Sequence, residues 1–185
     1  MKTLFEQFDN IETERFFIRA LAHQDYQDLY EIFSDFEVVK YQQIPPMESL
    51  EIARGATENF IKGYTDKFKI RRAIILEDKM IGIVSLHSFN YETKEVEIGF
   101  MVNREHWGQG VMTEAASAVI NYVFAHSNAK AVIAKPLPEN IGSRKVINKL
   151  GFTKIDFIEK GILNFRTNEY EDQLVYKLEN NKDRH

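Results

Sequence analysis

The glycine spacing in residues 105–115, EHWGQGVMTEA, is the feature of the sequence most suited to chemistry. Gly108 and Gly110 stand one residue apart, so the backbone can turn tightly there with N–H groups that no side chain obstructs. A helical pattern begins near Thr113, and the first turn of a helix adds unpaired N–H groups and the positive end of the helix dipole. The segment therefore predicts an anion site suited to a pyrophosphate. The alternative is a glycine-rich turn that binds nothing.

Two other phosphate-binding loops fit this segment badly. A P-loop needs Lys and then Ser or Thr directly after its last glycine, where this chain has Val111 and Met112. The dinucleotide-binding fingerprint needs a third glycine at the position of Thr113.

A second group of polar residues lies in residues 136–152. Asn140 can cap a helix, and Ser143 lies three residues later on the same face of its first turn. The strand predicted at 131–137 follows the glycine-turn helix directly, so a crossover connection would place it parallel beside residues 95–102. Asn140 would then emerge at the same sheet end as the glycine turn, where ligand sites of open sheets gather. A capping pair without further function is the alternative.

The elements that position these residues follow a mixed order of strands and helices. A short strand at 13–20 precedes a helix opened by Asp25 and a second helix capped by Ser49. The β-branched and alternating runs at 68–76, 79–89 and 95–102 predict an antiparallel meander. A helix at 113–126, the strand at 131–137, and a helix from 140 to 150 closed by Gly151 come next, followed by strands in FTKIDFIE and YEDQLVYKL. We expect one α/β (α+β) domain, residues 1–185, with residues 180–185 a frayed tail.

Composition excludes several classes of protein. The 185 residues include no cysteine, which removes disulfides, cysteine-ligated metals and an acyl-thioester intermediate on the protein. The net charge of −4 disfavours nucleic-acid binding, and the basic cluster of Lys67, Lys69, Arg71 and Arg72 is interpreted as a solvated strand face or edge. No apolar run approaches the ~18 residues of a membrane span, no signal peptide is apparent and no histidine spacing suits a metal. By elimination the chain is predicted to be cytoplasmic.

The segments EIGFMV, EHWGQGVMTEA and ENIGSRKVINKLGF together resemble the GNAT superfamily of acetyl-CoA-dependent N-acetyltransferases. The similarity is closest to its RimJ/RimL-like branch, and it extends from about residue 13 to about residue 178. The resemblance implies a mixed, mostly antiparallel sheet of six to seven strands flanked by helices. The family's phosphate loop has Gln or Arg where this chain has Glu105, whereas both of its small residues are present as Gly108 and Gly110.

The resemblance also implies roles for individual residues. The backbone of residues 108–113 would hold the CoA pyrophosphate, and Met101 and Val102 would bind the pantetheine arm through their backbone. Asn140 would face the pantetheine or the thioester. The cofactor-binding residues implied are Met101, Val102, Gly108, Gln109, Gly110, Val111, Met112, Thr113 and Asn140.

Two catalytic roles are predicted with this family as a guide. Glu97 is the preferred general base, since it points away from an apolar strand face and matches a carboxylate found on the family's fourth strand. A solvated or salt-bridged carboxylate is the alternative, and His87 is a second candidate base. The tyrosine that protonates the leaving thiolate in many members is replaced by Ile147, so Ser143 becomes the substitute candidate.

The predicted activity is transfer of an acetyl group to a primary amine by direct attack, without a metal. The family default acceptor is a protein N-terminus of the ribosomal-protein type, and a polyamine or an aminoglycoside-like amine is the alternative. Acceptor specificity is expected from residues 41–66 and from the loops near residues 90 and 160–170. A non-catalytic CoA-binding regulatory module is the competing class. A homodimer is a family-level expectation.

Overall fold

The computed structural model describes residues 1–181, in which eight strands form one sheet. Their order across the sheet is β1-β2-β3-β4-β5-β6-β8-β7, and only β5 and β6 run parallel. In chain order the strands are β1 (Ile11–Glu12), β2 (Phe17–Ala20), β3 (Ile70–Leu76), β4 (Lys79–Asn90), β5 (Glu95–Val102), β6 (Ala131–Ala134), β7 (Thr153–Asn164) and β8 (Glu169–Glu179).

Five α-helices cover the two faces of this sheet. They are α1 (Tyr26–Ser34), α2 (Phe36–Val39), α3 (Leu50–Thr65), α4 (Val111–His126) and α5 (Ile141–Lys149), with 3-10 turns at Lys2–Phe5, His23–Asp25 and Arg104–His106. Ser49 caps α3 by accepting a hydrogen bond from the Ile52 N–H, and Gly151 closes α5 with φ +84°, as the sequence predicts.

The strand count corrects the sequence-based expectation of six to seven. The extra strand is β1, whose two residues pair with β2 through Ile11 and Ile18. Two residues are too few to show the alternation by which a strand is detected in a sequence. The mixed, mostly antiparallel sheet and the parallel placement of β6 beside β5 are confirmed.

Two apolar clusters pack against the opposite faces of the sheet. On one face Val96, Ile98 and Val102 of β5 join α4 and the N-terminal turn. On the other face Ile83 and Met101 join the helices α1 to α3. Alternate residues of β5 therefore face different layers, which is the period-two pattern of a strand buried on both sides.

A gap opens between β5 and β6 beyond their short region of pairing. Only Glu95, Val96 and Glu97 pair with β6, through residues 131–133. The remaining five residues of β5 have no strand partner on that side. The gap lies at the carboxyl ends of both strands, next to the glycine turn before α4 and the start of α5.

The β7–β8 hairpin reaches from the edge of the sheet to the segment after α2. At its tip Asn164 is fully buried, donates to Glu171 Oε1 at 2.8 Å and accepts from the Arg166 N–H at 2.9 Å. The Phe165 N–H donates to the Gln43 carbonyl at 3.1 Å. Residues 41–43 and 164–171, which are distant in sequence, therefore lie together.

The predicted frayed tail, residues 180–185, lies mostly outside the described residues. Asn180 is described, and its N–H donates to the Lys130 carbonyl at 2.8 Å. Within residues 1–181, no helix combines the length and the apolar character needed to cross a bilayer.

Candidate active site

The turn before α4 has the backbone conformation that its glycines predict. Gly108 and Gly110 adopt φ of +76° and +78°, in the left-handed region that favours glycine. A Cβ added at Gly108 would meet no atom within 4 Å, so the surface of the turn is open to a ligand. Helix α4 begins at the next residue, Val111, and directs its first N–H groups toward the same side.

Arg15 braces this turn from the strand side. Its guanidinium donates to the Gln109 carbonyl at 2.9 Å and to Glu114 Oε2 at 2.7 Å. The same guanidinium lies 3.5 Å from the position of a Cβ on Gly110. Arg15 therefore both fixes the glycine turn and places a positive charge beside it.

The backbone of β5 directs polar groups into the gap beside β6. The Asn103 N–H donates to the Ile81 carbonyl at 2.8 Å, and hydrogen-bonding direction alternates along a strand. The N–H and C=O groups of Met101 therefore belong to β4, whereas those of Phe100 and Val102 face the gap. In this register, the backbone contact expected from Met101 is available at Phe100 instead, whereas Val102 faces the gap as expected.

Trp107 contacts this free strand edge. Its indole N–H donates to the Val102 carbonyl at 3.0 Å, and 45% of the residue is exposed. Its hydrogen bond therefore ties the start of the glycine turn to the end of β5.

The start of α5 faces the gap from the other side. Asn140 caps the helix, since its Oδ1 accepts the Ser143 N–H at 3.0 Å. The hydroxyl of Ser143 makes no hydrogen bond to any described residue. Ile147 is 1% exposed within the core, so this position contributes no proton donor.

These parts surround one cavity of about 440 Å³. Of the predicted site residues, those in its wall are Met101, Val102, Gly108, Gly110, Val111, Met112, Thr113, Asn140 and Ser143. Gln109 and Glu97 are not in its wall. Gln109 instead bonds Arg15 through its carbonyl, and Glu97 lies at the last paired position of β5, where the gap closes.

Glu97 has two polar neighbours on the α3 side of the sheet. Lys135 Nζ lies 3.0 Å from Glu97 Oε2, and His87 Nε2 lies 4.0 Å from Oε1. Burial, with the nearby positive charges of Lys69, Arg71 and Lys135, lowers the pKa of His87 to about 4, although Glu97 opposes this shift. His87 is therefore neutral at pH 7. The contacts of Glu97 are those of a salt-bridged carboxylate placed at the end of the gap.

Gly99 leaves an opening on the same face of β5, between Glu97 and Met101. A Cβ built there would meet only His87 Nε2, at 3.5 Å. Gly99 itself therefore places no side chain over the strand at this point, and only the His87 ring comes close to it.

Several residues of the site were not found by sequence reasoning. Arg15 and Lys135 lie in segments with a strand pattern, and the residues that their side chains contact are distant in sequence. No local pattern therefore predicts these contacts. Tyr41 is the only tyrosine in the cavity wall within the described chain, and it lies in an irregular segment without a motif. The further polar wall residues are Glu37, Lys40, Gln42, His106, Lys145 and Lys149.

The basic cluster is the one place where the structure reverses an interpretation. Arg72 is 3% exposed, and its guanidinium donates to the Asp9 carbonyl at 3.0 Å on the α4 side of the sheet. Lys69 and Arg71 are half-buried on the opposite, α3 side. The prediction of a solvated strand face is therefore wrong for these three residues, and only Lys67 is exposed.

The fold and the site define a class of protein before any comparison. A glycine turn at a helix N-terminus, opening onto a gap between two parallel strands, is suited to a long ligand that begins with a pyrophosphate and continues as an extended arm. An acyl-CoA has this shape, so the class is a CoA-dependent acyltransferase. In residues 1–181, no group of three or more His, Cys, Asp or Glu side chains is arranged to hold a metal ion.

Comparison with known proteins identifies the family. The model of the acetyltransferase (GNAT) domain matches residues 15–153. The chain therefore belongs to the GNAT family and is an acetyl-CoA-dependent N-acetyltransferase, similar to the RimJ/RimL branch.

Two relatives illustrate the similarity. The uncharacterised N-acetyltransferase YnaD of Bacillus subtilis is 32% identical over 176 residues, which is 91% of this chain and 96% of that protein. The ribosomal-protein-serine acetyltransferase of Escherichia coli is 26% identical over 115 residues, which is 62% of this chain and 61% of that protein.

Two solved structures show the same fold. A GNAT-family acetyltransferase from Bacillus anthracis has a TM-score of 0.81 at 26% identity, covering 92% of this chain and 98% of its own. RimL, a ribosomal L7/L12 α-N-protein acetyltransferase in complex with coenzyme A, has a TM-score of 0.81 at 17% identity, covering 95% and 100%.

Proposed function

We propose that this chain transfers the acetyl group of acetyl-CoA to the N-terminal amine of a protein by direct attack of the amine. The observation that carries the proposal is the single cavity in which the open glycine turn, the free edge of β5 and the start of α5 meet. The proposal also includes one domain over residues 1–185, a cytoplasmic location and a homodimer. These three statements remain predictions.

The residues of the cavity fit acetyl-CoA as cosubstrate. The backbone N–H groups of residues 108–113 are suited to the pyrophosphate, and Arg15 and Lys149 add positive charge close by. Phe100 offers its backbone N–H and C=O to the pantetheine arm and Val102 offers its N–H, as a neighbouring strand would, while the Val102 carbonyl accepts from the Trp107 indole. Asn140, in the cavity wall at the start of α5, is proposed to face the pantetheine arm or the thioester.

Acetyl-CoA supplies an activated acyl carbon and a thiolate leaving group. The acceptor nitrogen forms a bond to that carbon as the carbon–sulfur bond breaks, so the nitrogen loses a proton and the sulfur gains one. Gly99 provides the opening through which an amine on the α3 face reaches the gap. No group of the protein becomes acetylated in this scheme.

Two residues are proposed to move these protons. Glu97 lies at the closed end of the gap and accepts the proton from the amine, directly or through water. Ser143, whose hydroxyl has no partner among the described residues, is proposed to protonate the thiolate from the cavity wall. Tyr41 in the same wall is the competing donor.

The protein acceptor is supported by the relatives whose names state one. The Escherichia coli protein, by its name, acts on a ribosomal protein, and the cavity wall that includes Tyr41 and Gln42 is where a chain terminus is proposed to enter. A polyamine or an aminoglycoside-like amine is the alternative acceptor.

Release of thiol from acetyl-CoA against a panel of peptides and small amines tests the activity. We expect turnover with peptides whose α-amine is free and none with N-acetylated peptides. Turnover only with small amines would overturn the protein acceptor, and no turnover with any amine would favour a CoA-binding module without catalysis.

Thermal unfolding in the presence of acetyl-CoA tests binding of the cosubstrate independently of turnover. Ligand at about 100 times its dissociation constant stabilises the folded state by ~2.7 kcal/mol, so the midpoint should rise by roughly 5 °C. An unchanged midpoint would contradict both the enzyme and the binding module.

A further inference from the structure

The α3 face of the sheet carries two positive charges that have no ion-pair partner among residues 1–181. Lys69 precedes β3, and Arg71 lies within it, on the same face as Glu97 and Gly99. Neither side chain makes a hydrogen bond or an ion pair with any described residue. By contrast, Lys135 on this face is paired with Glu97.

Both of these cations are partly removed from water. Burial lowers the pKa of Lys69 to about 8 and that of Arg71 to about 10; the charge of Arg71 lowers the pKa of Lys69 further, whereas the charge of Glu97 opposes this shift. Buried charges in proteins are normally paired, because desolvation without a partner is unfavourable. Two half-buried cations on one face, without an ion-pair partner among residues 1–181, are therefore suited to binding an anion.

The guanidinium of Arg71 packs against helix α3. It lies 3.8 Å from the ring centroid of Phe60 on α3. A further contact is with Gly63, where an added Cβ would lie 3.5 Å from Arg71 NH1. Helix α3 therefore fixes the group without neutralising it, which suits recognition of a planar or tetrahedral anion.

The strand register gives the distance between Arg71 and Gly99, where the acceptor is proposed to approach. Arg71 pairs with Ser85, and Ser85 pairs with Gly99, so the three residues lie in one row across the sheet. Since neighbouring strands are about 4.8 Å apart, the Cα atoms of Arg71 and Gly99 are separated by roughly 10 Å. An acceptor at Gly99 can thus present a second group to Arg71.

We propose that Lys69 and Arg71 bind an anionic group, a carboxylate or a phosphate, that the acceptor carries within about 10 Å of its reacting amine. The inference rests on the proposed amine acetylation and narrows its substrate class to amines with an acidic neighbour. With Lys135 the face holds three cations against the one carboxylate of Glu97, so it disfavours polycationic acceptors.

Matched acceptor pairs test the proposal. The pairs are phosphoethanolamine against ethanolamine, glycine against glycinamide, and the peptide Asp-Ala-Ala-amide against Asn-Ala-Ala-amide, so that phosphate, free carboxylate and peptide sources are distinguished. We expect kcat/KM to favour the anionic member of at least one pair by about tenfold or more. A ratio near one in all three pairs would overturn the proposal.

Variants identify the residues responsible. Arg71→Gln and Lys69→Gln should each remove most of that preference while kcat/KM for the neutral member stays within about twofold. Lys67→Gln, on the exposed turn two residues earlier, is the matched control and should keep the wild-type ratio. If the preference for the anionic acceptor persists in both Arg71→Gln and Lys69→Gln, the anion binds at another site.

A binding measurement keeps this test separate from the activity itself. With the glycine turn filled by saturating acetyl-CoA, millimolar inorganic phosphate should raise the unfolding midpoint of the wild type and of Lys67→Gln, but not of Arg71→Gln. This result would support the anion site even if no acceptor is acetylated. Equal shifts in all three proteins would overturn it.

Discussion

At the scale of single residues, the proposed roles separate groups assigned to the cosubstrate from groups assigned to the acceptor. The first set lines the cavity, whereas Glu97 and Gly99 lie on the α3 side of the same strand. The two sets meet only at the closed end of the gap. Substitutions on either side should therefore affect different kinetic constants.

The ion pair between Glu97 and Lys135 allows the base to be distinguished from a structural carboxylate. Glu97→Gln should lower kcat by about 10² or more, because a general base contributes that much to proton removal. Lys135→Gln leaves the carboxylate in place and should retain most of the activity. If the pair is only structural, the two variants will instead show similar small losses of stability and similar, nearly normal rates.

Ser143 and Tyr41 compete for protonation of the thiolate. Ser143→Ala should lower kcat by at least about tenfold with little change in the dissociation constant of acetyl-CoA, since the hydroxyl bonds to no described residue. Tyr41→Phe is the matched removal of a hydroxyl from the same cavity wall. A larger loss in Tyr41→Phe than in Ser143→Ala would exchange the two roles.

Gly99 provides the most direct test of the path taken by the acceptor. Gly99→Leu should raise the acceptor KM by about tenfold or more, because the side chain would fill space on β5 where a Cβ meets only His87 Nε2. The dissociation constant of acetyl-CoA should hardly change. Gly55→Ala, at a helix position where a Cβ meets no atom within 4 Å, is the control and should bind both substrates normally.

At the scale of elements, the glycine turn depends on a contact from the start of the chain. Arg15→Gln removes the hydrogen bond to the Gln109 carbonyl and the ion pair with Glu114. The KM for acetyl-CoA should rise about three- to tenfold, while the acceptor KM stays near its wild-type value. Arg54→Gln, on the exposed side of α3, should change neither constant.

Much of this arrangement could be predicted from local sequence. The two glycines, the cap at Asn140 and the crossover that places β6 beside β5 can each be predicted from a local sequence pattern, and the structure shows all three. The bracing by Arg15 could not be predicted in this way, since its partners lie more than 90 residues away.

The acceptor face was the least predictable part for the same physical reason. Phe165 and Gln43 form a hydrogen bond only because the β7–β8 hairpin folds back over the segment after α2. Alternation of side chains placed Glu97 on the polar face correctly, but it carries no information on how deeply Lys69 and Arg71 are covered by α3. Burial of a long basic side chain depends on tertiary packing, which a strand pattern does not contain.

At the scale of the whole molecule, the buried imidazole of His87 links stability to pH. Its pKa is lowered from 6.5 to about 4, so above pH 6.5 it is neutral in the folded and the unfolded chain and contributes nothing. As the pH falls from 6.5 toward 4, only the unfolded chain gains this proton. The free energy of unfolding should therefore decrease by up to about 3 kcal/mol across that window.

Denaturant unfolding at several pH values measures this effect. His87→Gln should flatten the decrease between pH 6.5 and pH 4, whereas His23→Gln, at an exposed histidine, should leave it as in the wild type. Equal slopes for the wild type and His87→Gln would contradict the assignment. Carboxylates that make no contact with His87 act equally in all three proteins and cancel in the comparison.

The gap between β5 and β6 has a consequence for mutational tolerance. In the proposed complex, Phe100 and Val102 bind the cosubstrate through main-chain groups, which are the same whatever side chain the position carries. Changes of sequence along the strand would then reshape the α3 face, and with it the choice of acceptor, while these main-chain contacts to acetyl-CoA are kept. A strand that contacts a shared reactant through its backbone leaves its own side chains free to diversify toward new amines.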